Sequence, residues 1–411
     1  MKRVVVTGLG TITSLGYNVE EVWSNTRNSY CSIEPITLFD TEDSSVKVAA
    51  EVKNYNSKDF FTSFNSKKYN RFTQFALIAS AEAYKDAGIT DNSVNSNRVA
   101  VVYGSGIGGD TIGKEYETCM TKGSKYVSPL LLPGNLVNMA AANIAMEYKA
   151  NGTCMSLVAA CATGTDCIGT AFRHIQFGMA DIVIAGATEA CINPLVVAGF
   201  ASLKAVSRTE DKTRASIPFD KERSGFVMGE GAATLILEEY EHALKRNAKI
   251  YAEIAGFGTT CDAYKIVSPN PDMTQAKRAM EDAVKDAGIT VGDISYINAH
   301  GTSTGLNDKY ESIMIEDMYY KNGNTVPVSS TKSMMGHALG AAGAIEAVLS
   351  IKALEDSFIP ETVGYKTYDE DCRLDFVTGH GRTKELHYVQ SNSFGFGGHN
   401  SVLVFRNSKL L

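Results

Sequence analysis

The octapeptide Ala83-Tyr84-Lys85-Asp86-Ala87-Gly88-Ile89-Thr90 returns later in the chain as Ala283-Val284-Lys285-Asp286-Ala287-Gly288-Ile289-Thr290. Each copy reads as the end of a helix, closed by a glycine that tolerates left-handed backbone, followed by a short polar gap and an apolar strand. The strands are 99–103 in the first copy and 294–299 in the second. The order of elements then continues in step. Residues 152–158 enter a small-residue helix at Cys161, and 326–330 lead into a second one over 336–354. A repeated order of elements predicts a duplicated half, with halves at 1–250 and 251–411. Apolar strands alternating with helices, 181–186 among them, predict an α/β protein with parallel-type sheets covered on both faces. The stretch 17–70 reads as polar and irregular, with one strand at 46–52.

Within this frame, Leu157-Val158-Ala159-Ala160-Cys161-Ala162-Thr163-Gly164-Thr165 delivers a thiol to the first turn of a helix. That helix continues through Cys167, Ile168, Ala171, Phe172 and Ile175, an apolar set at helical spacing. Unpaired N–H groups at a helix start stabilise a thiolate and predict a pKa for Cys161 below the free value of roughly 8.5. Taken singly, Cys161 also reads as a small buried structural cysteine. Three further stretches end apolar strands on polar groups, where open α/β sheets place their sites. They are Asn298-Ala299-His300-Gly301-Thr302-Ser303-Thr304, with Asp308 and Glu311 in the next helix; Ser330-Thr331-Lys332-Ser333-Met334-Met335-Gly336-His337; and the glycine-rich Asn392 to Asn400. Each alone has a structural reading: a satisfied histidine, a surface lysine, a turn with positive φ. Together, one cysteine, two histidines and a lysine form a set suited to thiol-mediated acyl chemistry.

Bulk properties exclude other classes. A formal net charge of −7 argues against a general polyanion binder such as a nucleic-acid protein. No apolar run reaches membrane-spanning length, and Met1-Lys2-Arg3-Val4-Val5-Val6-Thr7-Gly8 enters a strand directly, which predicts a cytoplasmic protein. The eight cysteines form no Cys-x-x-Cys pair and read as free thiols, and no histidine cluster has zinc-ligand spacing, so no metal is predicted. Gly8-Leu9-Gly10 lacks the third glycine of a dinucleotide turn, Thr13 standing there, so no nucleotide cofactor is predicted either.

The motifs resemble those of the elongating β-ketoacyl-acyl-carrier-protein synthases, in pattern those of the synthase II group, within the thiolase-like superfamily. The resemblance rests on Ala160-Cys161-Ala162-Thr163-Gly164, on Ala299-His300-Gly301-Thr302-Ser303-Thr304, on Thr331-Lys332-Ser333 with Gly336-His337, and on Asn392 to Asn400. It runs from Val5 to the last strand. It implies a five-layered αβαβα fold of two duplicated halves, usually a homodimer. It implies that Cys161 accepts the acyl group, that His300 and His337 assist malonyl decarboxylation, that Lys332 supports them, and that Glu311 organises Lys332. Phe396 matches the gating phenylalanine, and backbone N–H groups of Cys161 and Phe396 match the oxyanion hole. Ile107 and Phe200 match positions at the acyl pocket; Thr302 and Thr304 match those that bind the pantetheine arm, with Ser268 beside it. Lys67, Lys68, Arg71, Lys125 and Lys204 are candidates for docking an acidic acyl carrier protein. Val267 stands where a hydroxyl residue often helps hold pantetheine and implies weaker contact there, Gly305-Leu306-Asn307 and Met335 depart from the common pattern, and the bulky run Cys191-Ile192-Asn193-Pro194-Leu195-Val196-Val197 implies a different chain-length preference. A catalytic ketosynthase subunit of a type II polyketide or polyene pathway, paired with a chain-length partner, remains open beside fatty acid elongation. A papain-like hydrolase would leave Lys332 and one histidine unexplained. A biosynthetic thiolase would need a second cysteine in the last glycine loop.

Overall fold

The computed structural model describes residues 1–62, 65–90 and 94–411. Among these residues, eleven strands hydrogen-bond into one sheet built from two copies of the same arrangement. From the outer edge inward, the first copy orders its strands Cys154–Met155, Val99–Gly104, Ile182–Glu189, Gly231–Glu239 and Val4–Thr13. The second orders them Pro327–Ser329, Ile294–Asn298, Tyr388–Gly395, His399–Asn407 and Ala252–Cys261, with Asp375–Phe376 added outside. The copies meet where Val5 and Val6 pair with Glu253 and Ala252.

The repeated octapeptide has a physical purpose. A Cβ on Gly8 would lie 2.2 Å from the Ala83 carbonyl oxygen, and one on Gly256 would lie 2.1 Å from that of Ala283. Gly10 and Gly258 meet Ala79 and Ala279 just as closely, both at 2.0 Å. Glycine therefore lets the helices Arg71–Asp86 and Thr274–Asp286 lie directly on their strands. Each contact is closed by the aspartate of the repeat. Asp86 accepts the Leu9 N–H at 3.0 Å, and Asp286 accepts the Phe257 N–H at 2.9 Å. Gly8-Leu9-Gly10 is thus a packing device.

These two helices form the outer layers, and the helices Thr163–Gln176 and Ala342–Asp356 form the layer between the two half-sheets, completing the αβαβα order. Cys167, Ile168, Ala171, Phe172 and Ile175 are all buried there, as the apolar spacing predicts. Each of the larger ones stabilises the fold by about 1.5–3 kcal/mol. The middle helices touch near their first turns, a Cβ on Gly164 falling 2.5 Å from the Ala344 nitrogen. Both helix starts, and the strand ends leading to them, converge on one place.

Several local expectations change. The sheets are mixed: in each copy the outer strands run parallel, but Gly231–Glu239 and His399–Asn407 are antiparallel to both neighbours. In the second copy the tight connection 396–398 forces this, since a hairpin joins only antiparallel strands. The stretch 17–70 contains a helix, Val19–Arg27, whose signal is the Asn18 cap accepting the Glu21 N–H at 2.8 Å. The strand at 46–52 shrinks to Val48–Ala49 and that at 152–158 to Cys154–Met155. The helix expected over 336–354 starts only at Ala342, after a tight turn at Leu339–Ala341. No helix among the described residues is long and apolar enough to cross a membrane.

Candidate active site

A cleft of about 370 Å³ opens where the two halves meet, and its walls include Cys161, His300, His337 and Phe396. Phe200, Ser268, Thr302, Thr304 and Lys204, all singled out by sequence, line it as well. The walls differ in character. Thr302, Thr304, Ser268 and Asn400 give a polar side, while Phe200, Phe226 and Leu339 give an apolar one.

Cys161 lies in a single tight turn, Ala160–Ala162, at the entry to the helix Thr163–Gln176. Ala160 has φ +47°, a left-handed conformation that swings the next side chain out of the helix line. Thr163 braces the turn, its hydroxyl accepting the Ala159 N–H at 2.9 Å and donating to the Ala160 carbonyl at 2.7 Å. The N–H groups of Cys161 and Phe396 both act on the sulfur, and the Lys332 charge favours its ionisation. Burial outweighs them and pushes the thiol up to about 11. This reverses the expected depression. Cys161 packs against an apolar cluster that includes Ile192, Met228 and Leu339, which solvates a thiolate poorly.

His300 follows the strand Ile294–Asn298, and His337 follows the turn at Gly336, whose φ of +63° is a conformation suited to glycine. The imidazoles stand edge to face with centroids 5.3 Å apart. Phe394 packs on His300 at 5.9 Å and Phe226 on His337 at 5.3 Å. Burial, with the Lys332 charge adding to it, drives both histidines well below their usual pKa. They are neutral at physiological pH. Both nitrogens of His337 and Nδ1 of His300 have no hydrogen-bond partner among the described residues.

Lys332 is buried behind them, and its ammonium pairs with Glu346, in the middle helix of the second half. Glu311 does not organise it. Its carboxylate instead accepts the N–H groups of His300 and Gly301, each at 2.8 Å, and the Asn392 amide at 3.1 Å. Glu311 therefore holds the backbone that carries His300. The pairing of Lys332 escaped sequence reading because Glu346 lies in the apolar run of its helix, where no motif marks it. Burial pushes Glu346 up to about 7, against the pull of Lys332.

Two other expectations move. Arg71 faces inward rather than presenting a free charge: its guanidinium is bound bidentately to the buried Glu230 at 2.9 and 2.6 Å and stacks on Tyr55 and Phe75. Ile107 lies outside the cleft walls and is 40% exposed. Lys67, Lys68 and Lys125 are exposed away from the cleft lining, whereas Lys204 stands in it.

Residues 1–243 match the model of the Beta-ketoacyl synthase N-terminal domain, and residues 251–366 match that of its C-terminal domain. A 3-oxoacyl-[acyl-carrier-protein] synthase 2 from Synechocystis is 44% identical over 407 residues, 98% of each chain. The enzyme of the same name from Staphylococcus aureus is 44% identical over 406 residues, again 98% of each. Among solved structures, a beta-ketoacyl synthase from Burkholderia phymatum superposes with a TM-score of 0.91 at 34% identity, covering 99% of this chain and 100% of the other. The ishigamide ketosynthase/chain length factor gives a TM-score of 0.91 at 34% identity over 99% of each. With both domain models matched in order and full-length relatives at this similarity, the chain belongs to the beta-ketoacyl synthase family.

Proposed function

We propose that this protein is a 3-oxoacyl-acyl-carrier-protein synthase that elongates fatty acyl chains by decarboxylative Claisen condensation. The observation that carries the reading is the convergence, in one cleft, of a thiol flanked by two backbone N–H groups and a pair of neutral histidines beside a buried lysine.

In the first half-reaction, Cys161 Sγ attacks the thioester of an acyl carrier protein. The thiol proton passes to the departing pantetheine sulfur. The oxyanion of the tetrahedral intermediate lies between the Cys161 and Phe396 N–H groups. In the second, malonyl-carrier-protein loses CO2, and the C–C bond electrons form an enolate whose oxygen accepts hydrogen bonds from His300 and His337. The carbanion attacks the Cys161 thioester and expels the Cys161 thiolate, giving the 3-oxoacyl carrier; a proton taken up from water restores the free thiol. Burial, with the charge of Lys332 held by Glu346 adding to it, keeps both imidazoles neutral, so that they donate hydrogen bonds without carrying charge of their own. Phe396, on a loop flanked by Gly395 and Gly397, gates entry, its ring 6.4 Å from that of Phe200. The pantetheine arm runs along Thr302, Thr304 and Ser268. Lys204, with Lys67, Lys68 and Lys125, attracts the acidic carrier.

We infer a homodimer in the cytoplasm. The dimer is supported by the edge strand Cys154–Met155 and by the exposed apolar residues Ile112, Tyr116, Met120 and Leu132. A second reading, the catalytic ketosynthase of a polyketide or polyene pathway, is favoured by one observation. A similar structure, 34% identical, is a type II polyketide carrier protein in complex with its ketosynthase.

Incubation with an acyl carrier thioester, read by intact mass, is expected to give a covalent adduct that Cys161→Ala lacks. Added malonyl-carrier-protein then gives one round of 3-oxo product. An adduct that persists in Cys161→Ala sinks the proposal, and repeated extension with a chain-length partner selects the second reading.

A further inference from the structure

The glycine-rich run 104–109 has no part in the steps above, yet it wraps a buried carboxylate. Glu189 ends the strand Ile182–Glu189 and is fully buried. Its Oε1 accepts the Ser105 hydroxyl at 2.9 Å and the Ile107 N–H at 3.2 Å. Its Oε2 accepts the Gly106 N–H at 2.9 Å and the Gly340 N–H at 3.0 Å. Donors from both halves of the chain thus converge on one side chain. The approach needs both glycines. A Cβ on Gly106 would come within 2.7 Å of Oε2, and one on Gly340 would come within 2.7 Å of Oε2 and 2.4 Å of the Gly106 nitrogen.

The duplication explains why a carboxylate stands here. Gly8 pairs with Ile236 as Gly256 pairs with Val404, and following both registers outward matches Glu189 to Gly395. The helix-entry turns match Gly340 to Cys161 in the same way. In the second copy, Gly395 lies against the Cys161 turn, a Cβ on it falling 3.1 Å from the Cys161 nitrogen. In the first copy, the equivalent nitrogen, that of Gly340, is already bound by Glu189. Next to it, Leu339 has a left-handed φ of +45°, a strained conformation that surrounding contacts must hold. Leu339 lines the cleft with Cys161 and belongs to the apolar cluster of Cys191, Ile192, Phe226 and Met228.

We propose that Glu189 is a positioning residue for the acyl side of the site: by tying the Ile107 loop of one half to the Leu339 turn of the other, it fixes the apolar wall along which an acyl chain on Cys161 lies, and so sets the chain lengths accepted. This rests on Cys161 being the acylated thiol.

Glu189→Gln keeps the side-chain volume but turns an NH2 group toward one pair of donors, leaving them unpaired. Two measurements test the role. Hydrogen exchange of the free protein is followed over 105–108 and 339–341, and Cys161 acylation is timed with carrier thioesters of graded chain length beside malonyl decarboxylation. Exchange in these segments is expected to rise at least about tenfold. The KM for long acyl donors is expected to rise about 5-fold relative to short ones, with decarboxylation within about twofold of wild type. Unchanged exchange overturns the clamp. An unchanged chain-length profile, or equal losses of acylation and decarboxylation, overturns the positioning role. Ser105→Ala removes one donor without touching the backbone and carries the same readouts if Glu189→Gln does not fold. Wild-type acylation judges the reaction itself, and the exchange arm judges the clamp independently of it.

Discussion

The turns Ala160–Ala162 and Leu339–Ala341 are two copies of one device, each opening with a left-handed residue, φ +47° and +45°, and handing the chain to a middle helix. Their chemistry is opposite. In the first, the central residue is Cys161, its sulfur facing the cleft with its own N–H and that of Phe396 directed at it. In the second, the central residue is Gly340, and its N–H is sealed by Glu189. The backbone therefore offers two elbows, and the side chains around them leave a thiol at the cleft on one and tie the other to a carboxylate of the opposite half. A joint at the silent elbow gives the reactive one a rigid wall.

The comparison breaks most visibly at the reactive copy. Cys161→Ala is expected to abolish the acyl adduct and to cut condensation by at least about 10⁴-fold in a coupled product assay, with the fold intact by circular dichroism. His300→Ala or His337→Ala should still be acylated and yet lose decarboxylation by about 10²–10³-fold; an equal loss of acylation would show that the roles are misassigned.

Lys332→Met removes the cation shared by thiol and histidines. It leaves Glu346 buried without a partner, at a cost of about 3 kcal/mol in denaturant unfolding. Glu346→Gln should reproduce the loss of decarboxylation, whereas Glu311→Gln should loosen the His300 backbone instead, which hydrogen exchange at His300 and Gly301 would register.

Protonation supplies a graded test. With the thiol pushed up to about 11, iodoacetamide should label Cys161 about tenfold faster for each pH unit between 7 and 10, and a plateau in that range would mark a preformed thiolate. The histidines run the other way. Their folded pKa values are depressed, so the unfolded chain binds more protons below its own value of about 6.5, and stability present above that pH falls as pH drops through the window beneath it. Glu346, raised to about 7 in the fold, offsets one of these protons between its unfolded value and 7. Acid unfolding of the double variant His300→Phe with His337→Phe should lose this slope.

The smallest effect is expected at the silent copy. Gly340→Cys places a thiol at the second elbow but forces a Cβ to within 2.4 Å of the Gly106 nitrogen, so it should destabilise the protein by about 1–3 kcal/mol and add no second acyl adduct by mass.

What was legible in the amino-acid sequence, and what was not, divides along the range of the interactions. The octapeptide repeat carries the duplication because its alanines and aspartates meet the glycines and N–H groups of the neighbouring strand through close contacts that any copy must keep. His300 and Lys332 stood out because each lies just beyond a strand end, and Cys161 and His337 because each lies in a small-residue stretch at a helix entry or a glycine turn. Arg71 looked like a surface base because nothing nearby in sequence marks Glu230 as its partner. The mixed strand directions and the helix Val19–Arg27 were missed for a similar reason. One depends on where a strand returns to the sheet, and the other on a cap weaker than the apolar pattern that usually announces a helix.

By itself the sequence determined the duplicated α/β plan and singled out Cys161, His300 and His337 as candidates, since these follow from periodicity, glycine placement and motif resemblance along short stretches. Only the tertiary structure decided that Lys332 answers to Glu346, that burial raises the Cys161 thiol instead of the helix start lowering it, and that Glu189 binds the N–H of Gly340, the counterpart of Cys161. Each of these depends on desolvation or on a contact between distant segments. Such quantities exist only once the chain has enclosed them, and no local pattern of residues encodes their sign.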